Sequence, residues 1–418
     1  MDFRVILFKN TFWLGLAEVI SRGLKFLLLI YAARILGVDD YGVFSFALAF
    51  ASILVIFSDF GLTTITTRDL ARNFSDDPMR AIEKEKEFSS VFSLKMVLTL
   101  ATYLLIFLTS FLITESSEIH RIIFILGVFV LLNSLSDIFF AFFRARQKME
   151  YEALAKIFQA IIVTGLGFWA LFKFPTAQNL AWVYSIASAI AVLAILIFFN
   201  LKILKVNFFI DTFNWRRLLQ ISWPLGLVAV FTVIYNSIDS VMLGYWGMIK
   251  EVGWYNAAYR VILIISLPTM LISSSFFPAL SSAYSQSREF LRQVWRHYLS
   301  VTLLVATPIV VLSIWLAPQI VSLLYGSEFE PTVLAFRILA AGTWFMIIAK
   351  TFMDLLIVCD QQKKIFWVAL IGAVVNIILN FLLIPVYRIY GAAIATFVTL
   401  VFMSLVYLLL LYKNYVKS

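Results

Sequence analysis

Along this chain, apolar stretches long enough to cross a bilayer follow one another with only short polar breaks between them. Nothing else in the sequence constrains the fold as strongly. A hydrocarbon layer offers no water to the backbone, so a crossing segment must satisfy its own N–H and C=O groups as a helix or share them around a closed barrel. A spanning helix needs about 20 apolar residues, whereas a barrel strand needs about ten that alternate in polarity. The stretches here are continuous, near 9–35, 41–68, 88–113, 121–145, 151–173, 179–202, 217–246, 253–283, 298–325, 332–358, 364–387 and 390–412. They predict an all-α polytopic membrane protein with about 12 transmembrane helices.

Composition agrees about the solvent. Of 418 residues, 62% are hydrophobic and 14% charged, more apolar surface than a soluble chain of this length hides. The lone cysteine, Cys359, excludes a disulfide framework and a cysteine metal site, and His120 and His297 carry no ligand spacing. No metal is expected. Glu18, Arg22 and Lys25 interrupt the first stretch and no small-residue cleavage site follows it, so it is expected to stay as a span.

Basic residues set the expected topology. Arg68, Arg72, Arg80, Lys84 and Lys86 crowd the second loop, and Arg144, Arg146 and Lys148 the fourth. Loops six, eight and ten continue the pattern with Lys202, Lys205, Arg216 and Arg217, then Arg288, Arg292 and Arg296, then Lys363 and Lys364. The odd loops hold few. Both termini are therefore expected in the cytoplasm of a multi-pass protein of the plasma or inner membrane. The net charge of +9 faces anionic lipid and is not a nucleic-acid footprint. Two further segments are expected at the membrane surface: a short helix over 75–88, and the linker 205–220, where aromatic and basic residues mix.

The chain also repeats itself. "VDDYGVFSFA" near residue 40 is echoed by "IKEVGWYNAA" near residue 251, aligning Gly42 with Gly253, and "LGL" at 14–16 matches "LGL" at 225–227 with no gap between. Each echo is a first outer turn of one half. Two six-helix lobes, 1–206 and 207–418, are expected to be related by a pseudo-two-fold along the membrane normal.

A charge at the bilayer centre costs about 2.5–3.5 kcal/mol even on a lenient scale, so each one needs a reason. Glu18, Arg22 and Lys25 share one face of the first span; Asn236 and Asp239 lie on the seventh, where Asn236 aligns with Lys25. Asp137 lies on the fourth span, Asn256 and Arg260 on the eighth, and Arg337, Lys350 and Asp354 on the tenth. Two readings stand. Glu18 with Arg22 and Lys350 with Asp354 are four apart and would pair internally. Taken together, the bases Arg22, Lys25, Arg260, Arg337 and Lys350 outnumber the acids and suit a cationic cavity with anionic cargo. Glu18, Asp239, Asn236, Asn256, Asp137 and Asp354 would then be its other polar groups. Pro268 and Pro308 fall inside spans and are expected to kink them. No nucleotide-binding motif or catalytic-sized loop is present, so no cofactor is expected and energy must come from gradients or downstream steps.

The first span followed by "ARILGVDDYGVFSFA", then "DFGL" at 59–62 with Arg68, resembles polysaccharide repeat-unit flippases of the multidrug/oligosaccharidyl-lipid/polysaccharide exporter superfamily. "DSVMLGYWGMIKEVGWYNAAYR", 239–260, is similar to that family's second-half counterpart. The motif glycines are Gly37, Gly42, Gly61, Gly244 and Gly253. The resemblance implies alternating access and a cargo of oligosaccharide on a polyprenyl diphosphate, such as an O-antigen unit. It also implies a place among membrane lipids, beside glycosyltransferases and a polysaccharide polymerase. Arg22 and Arg260, helped by Lys25, would clamp the diphosphate, and Asp239 or Glu18 would carry a coupling proton or sodium ion. The alternatives are a multidrug/cation antiporter of the same superfamily, or a polytopic glycosyltransferase or polymerase. The first would want an anionic cavity, and the second needs outer loops larger than "TESSEIH" and "GSEFEPT".

Overall fold

The computed structural model describes residues 3–72 and 78–411. It is built from helices: α1 (Phe3–Leu54), α2 (Leu62–Arg72), α3 (Pro78–Ile113), α4 (Ser117–Ala145), α5 (Met149–Lys173), α6 (Ala177–Lys202) and α7 (Thr212–Tyr245). These are followed by α8 (Ile249–Ile265), α9 (Leu267–Gln286), α10 (Arg288–Trp315), α11 (Ala317–Tyr325), α12 (Thr332–Val358), α13 (Gln362–Tyr387) and α14 (Ile389–Leu411). Among the described residues, ten helical stretches are long and apolar enough to cross a membrane. The chain is a multi-pass membrane protein.

Several helix ends fall where local chemistry demands them. The long α1 is two helices joined at Gly37, whose φ of 72° and ψ of −178° lie outside helical space and suit a residue without a Cβ. The expected span 253–283 is divided. Pro268 lacks the N–H that a continuous helix needs, and α8 gives way to α9 at Ser266. Pro308, by contrast, stays within α10. The expected span 298–325 is likewise divided, at Leu316 before Pro318. The short surface helix expected over 75–88 is replaced by the opening of α3, which runs on from Pro78 without a break; residues 75–77 lie outside the described residues.

The chain forms two compact units, Met1–Leu36 with Val43–Val233, and Gly37–Gly42 with Ile234–Ser418. In the first, Phe88 of α3, Phe139, Phe142 and Phe143 of α4 and Phe199 of α6 make one buried aromatic core. Phe199 stacks on Phe88 with centroids 4.9 Å apart and meets Phe142 edge-on at the same distance. Lipid tails are as apolar as these rings, so close packing and ring geometry hold the helices together rather than escape from water. Ser185 of α6 adds a hydrogen bond of 2.6 Å to the Ile125 carbonyl of α4. The linker to α7 is pinned to α3, because Asn207 N and Phe209 N donate to the Ser89 and Ser93 hydroxyls at 3.2 and 2.8 Å. Phe208, Ile210 and Phe213 stay exposed. The second unit packs Tyr298 of α10, Phe352 and Leu356 of α12 and Tyr407 of α14 together.

The expected span 41–68 is interrupted after a 3-10 turn, Val55–Ser58, where Phe60 and Gly61 adopt φ of 45° and 81°. Asp59 takes up the interruption. Its carboxylate accepts from Thr63 and pairs with Lys95 of α3, a lysine with none of its side-chain surface exposed. Ser58 reaches Ser134 of α4 at 2.6 Å, and Gly226 of α7 lies so close that a Cβ there would sit 2.8 Å from the Phe60 carbonyl. The broken helix is thus held on three sides by polar and backbone contacts. Asp59→Asn would strand the buried ammonium and should cost about 3–5 kcal/mol of stability. The double variant Asp59→Asn/Lys95→Met should recover most of that loss, as read by thermal unfolding in detergent.

Candidate functional site

In the first unit, the stripe on α1 meets charged groups from α4 and α5. Glu18 accepts from Arg22 Nε at 2.5 Å and lies 3.7 Å from Lys156 of α5. Lys156 also pairs with Glu152 at 2.9 Å, and buried Glu152 is gripped by Arg144 of α4 through two bonds of 2.7 and 2.6 Å. This fork-to-carboxylate geometry is the strong form of the pair. One run of alternating charge therefore goes Arg22, Glu18, Lys156, Glu152, Arg144. Lys25, one turn along, is engaged as well. Asp137 of α4 lies within electrostatic reach of Lys156 and Arg144 on one side and of Lys95 and Asp59 on the other. Nearer the start of α1, Lys9 pairs with Glu150 at 3.0 Å, and Asn10 donates to Gln147 at 2.8 Å.

In the second unit, one buried acid is compensated differently. Asp239 of α7 is buried and accepts hydrogen bonds from neutral donors: Tyr255 OH of α8 at 2.7 Å, Asn380 Nδ2 of α13 at 2.5 Å and Thr396 Oγ1 of α14 at 3.1 Å. Asn376, one turn from Asn380, accepts from it at 3.1 Å. Two buried polar atoms of this cluster, Asn380 Oδ1 and Asn376 Nδ2, have no hydrogen-bond partner. Asn256 donates to Ser240 Oγ at 2.9 Å, while Asn236 accepts from Tyr259 OH at 3.4 Å. The half-buried Arg260 follows Tyr259, and its buried Nε also lacks a partner.

On α12, Asp354 pairs with Lys350 and accepts from Ser273 and Tyr298 at 2.6 and 2.9 Å. Both pairs expected four residues apart therefore form. Arg337 stands apart from these groups, exposed, with its Nε on the Ile314 carbonyl at 3.1 Å.

The motif glycines have plain structural work. Gly61 lies in the break before α2, and the Gly244 carbonyl accepts from Gly247 N at 2.9 Å to close α7. Gly42 and Gly253 allow backbones to touch. A Cβ on Gly42 would run into the Ile249 carbonyl, and one on Gly253 would sit 2.6 Å from the Val38 carbonyl. The sequence echo places Gly253 on Gly42 and Ile249 on Val38, so each turn makes to the other the contact it receives. Asp39 and Lys250, equivalent under the same echo, pair at 3.3 Å.

Sequence reasoning missed Lys156, Glu152 and Lys95, and counted Arg144 only as a topology signal. It also passed over Asn376, Asn380 and Thr396. The signal for the amides was present: two side chains one turn apart in "NIILN", within an otherwise apolar run, are costly to place in lipid without hydrogen-bond partners.

A multi-pass helical chain whose helices carry ion pairs and polar clusters through apolar surroundings has the construction of a membrane transporter. The chain belongs to the polysaccharide biosynthesis protein family, whose model matches residues 7–284. A second model, MatE, matches residues 224–382. The chain is similar to the capsular polysaccharide biosynthesis protein CapF of Staphylococcus aureus, at 21% identity over 92% of this chain and 94% of that one. It is also similar to the probable low-salt glycan biosynthesis flippase Agl15 of Haloferax volcanii, at 23% identity over 93% and 80%. Among solved structures, the lipid II flippase MurJ in an inward closed conformation shares the fold, with a TM-score of 0.78 and 20% identity over 96% of this chain and 88% of that one.

The reciprocal glycine contact gives a direct test. Gly42→Ala must displace backbone and should lower stability by about 1–3 kcal/mol. Gly165→Ala, with nothing within 4 Å of the new Cβ, should cause no loss in the same melting experiment.

Proposed function

We propose that this protein is a flippase that carries polyprenyl-diphosphate-linked oligosaccharide repeat units from the cytoplasmic to the outer leaflet for cell-surface polysaccharide synthesis. The observation that carries this reading is kinship along nearly the whole chain with proteins named for polysaccharide biosynthesis and glycan flipping. The protein moves a lipid-linked substrate and catalyses no bond change. Two six-helix lobes, 1–206 and 207–418, with both termini cytoplasmic, alternate in access to a shared polar cavity.

In this reading Arg22 and Arg260, with Lys25, hold the diphosphate. Arg260 has a buried nitrogen in need of an acceptor, and Arg22 can leave Glu18 to its second cation, Lys156. Asp239 carries the coupling cation, a proton or a sodium ion. The neutral donors around it leave its charge uncompensated, and the unpartnered Asn380 Oδ1 beside it is the kind of oxygen a small hard cation takes. Lys350 and Arg337 contribute to the cationic lining. Glycosyltransferases and a polymerase act before and after it.

A second reading, the drug/cation antiporter, is favoured by the MatE match over 224–382. It meets a physical objection in the first unit, where Glu18 and Glu152 are each already held by cations. The test uses liposomes holding a fluorescent polyprenyl-diphosphate sugar lipid, with exposure read by a membrane-impermeant quencher. Wild-type protein should expose the lipid, and Arg22→Gln/Arg260→Gln should abolish exposure. Unchanged flipping by that variant would defeat the clamp, and proton-driven movement of an organic cation in place of the lipid would defeat the flippase. Asp239→Asn should remove the dependence of flipping on an imposed proton or sodium gradient, and the gradient that matters identifies the ion.

A further inference from the structure

Beyond the buried charges, the second unit holds a groove of about 600 Å³ where the 37–42 segment, the turn between α7 and α8, and the junction of α13 and α14 come together. It contains none of the five cations expected to bind cargo. We infer that this groove is a subsite for an uncharged stretch of saccharide, separate from the diphosphate clamp. The inference rests on the proposal that the cargo carries sugars, and it names where a part of the glycan is held.

Three features point to this chemistry. The first is size and lining. The volume lies within the range of small-molecule sites, and Trp254, Tyr387 and Tyr390 supply rings. A pyranose presents a face of C–H bonds that lies well on an aromatic ring, with hydroxyls around the edge. Trp254 is held as a fixed platform, because its indole N–H donates to the Glu328 carbonyl at 2.9 Å. Tyr387 is half exposed.

The second feature is charge balance. The charged side chains of the groove come as two opposed pairs, Arg388 with Glu251 at 2.7 Å and Lys250 with Asp39 at 3.3 Å. A diphosphate placed here would face two carboxylates, and an organic cation would face two bases. A polyol suffers neither repulsion. Its hydroxyls donate to the carboxylates and accept from the guanidinium and ammonium groups at once.

The third feature is backbone strain at Arg388. This residue ends α13 with φ 53° and ψ −127°, a conformation that side chains rarely adopt outside glycine. Strain of this kind persists where the surroundings impose it, and it concentrates at ligand-holding positions. Here it aims a 63%-exposed guanidinium along the groove while Glu251 holds it. Under the proposed topology the groove lies at the outer end of the helices. The glycan of a translocated unit would be met there as its lipid arrives in the outer leaflet.

The test takes the full chain in lipid nanodiscs to an array of defined free bacterial oligosaccharides, with inorganic pyrophosphate as the charged competitor. Wild type should bind at least one neutral oligosaccharide. Tyr387→Ala and Lys250→Gln, both at exposed positions, should each weaken that binding about tenfold or more, and pyrophosphate should not displace it. The subsite is overturned if no array oligosaccharide binds and Tyr387→Ala leaves flipping indifferent to the number of sugars on the lipid. It is also overturned if pyrophosphate occupies the groove in preference to sugars. Sugar binding lost in these variants, in a protein that flips no lipid-linked sugar, would sink the flippase reading and leave the groove standing. Flipping that none of the groove variants alters, with no sugar bound, would do the reverse.

Discussion

A charge carried into a hydrocarbon layer must bring its compensation with it, and this protein does so by two kinds of chemistry. In the first, compensation is ionic: Lys95 with Asp59, and the run Arg22, Glu18, Lys156, Glu152, Arg144 across α1, α4 and α5. In the second, Asp239 is met by neutral dipoles from three other helices. Ion pairs resist separation because breaking one strands a charge. A carboxylate among dipoles keeps its field, and so keeps its appetite for a cation. The division of labour proposed above, with cargo charge handled by a re-pairing lattice and coupling handled by a lone acid, follows from that contrast.

The packing that surrounds these groups obeys the same solvent. With lipid outside, an exposed leucine is no liability and a buried phenylalanine gains little from leaving water. Specific structure must come from ring geometry, small residues and hydrogen bonds. The aromatic core around Phe199 and the close approaches at Gly42, Gly226 and Gly253 are where this chain finds it.

How much of this was legible in the sequence depends on how far apart the partners are. Helices were legible because apolar length is a local property, and so was the interruption at Pro268. Pairs four residues apart, Glu18 with Arg22 and Lys350 with Asp354, were legible because one helix fixes their geometry. Lys156 and Glu152 were not, since nothing local says that the α5 stripe faces α1. The interruption at Phe60 and Gly61 was not legible, since Asp59, which takes it up, pairs with a lysine more than 30 residues away. Asn376 and Asn380 were overlooked for a simpler reason: neutral side chains draw less notice than charged ones, though lipid penalises both.

Around a two-fold axis each residue meets the copy of its counterpart, and a residue on the axis meets its own copy. Asp39 and Lys250, equivalent under the sequence echo, face each other and carry opposite charges. Two identical halves would have set aspartate against aspartate or lysine against lysine. The salt bridge is available only because the two echoed turns differ in sequence at this position.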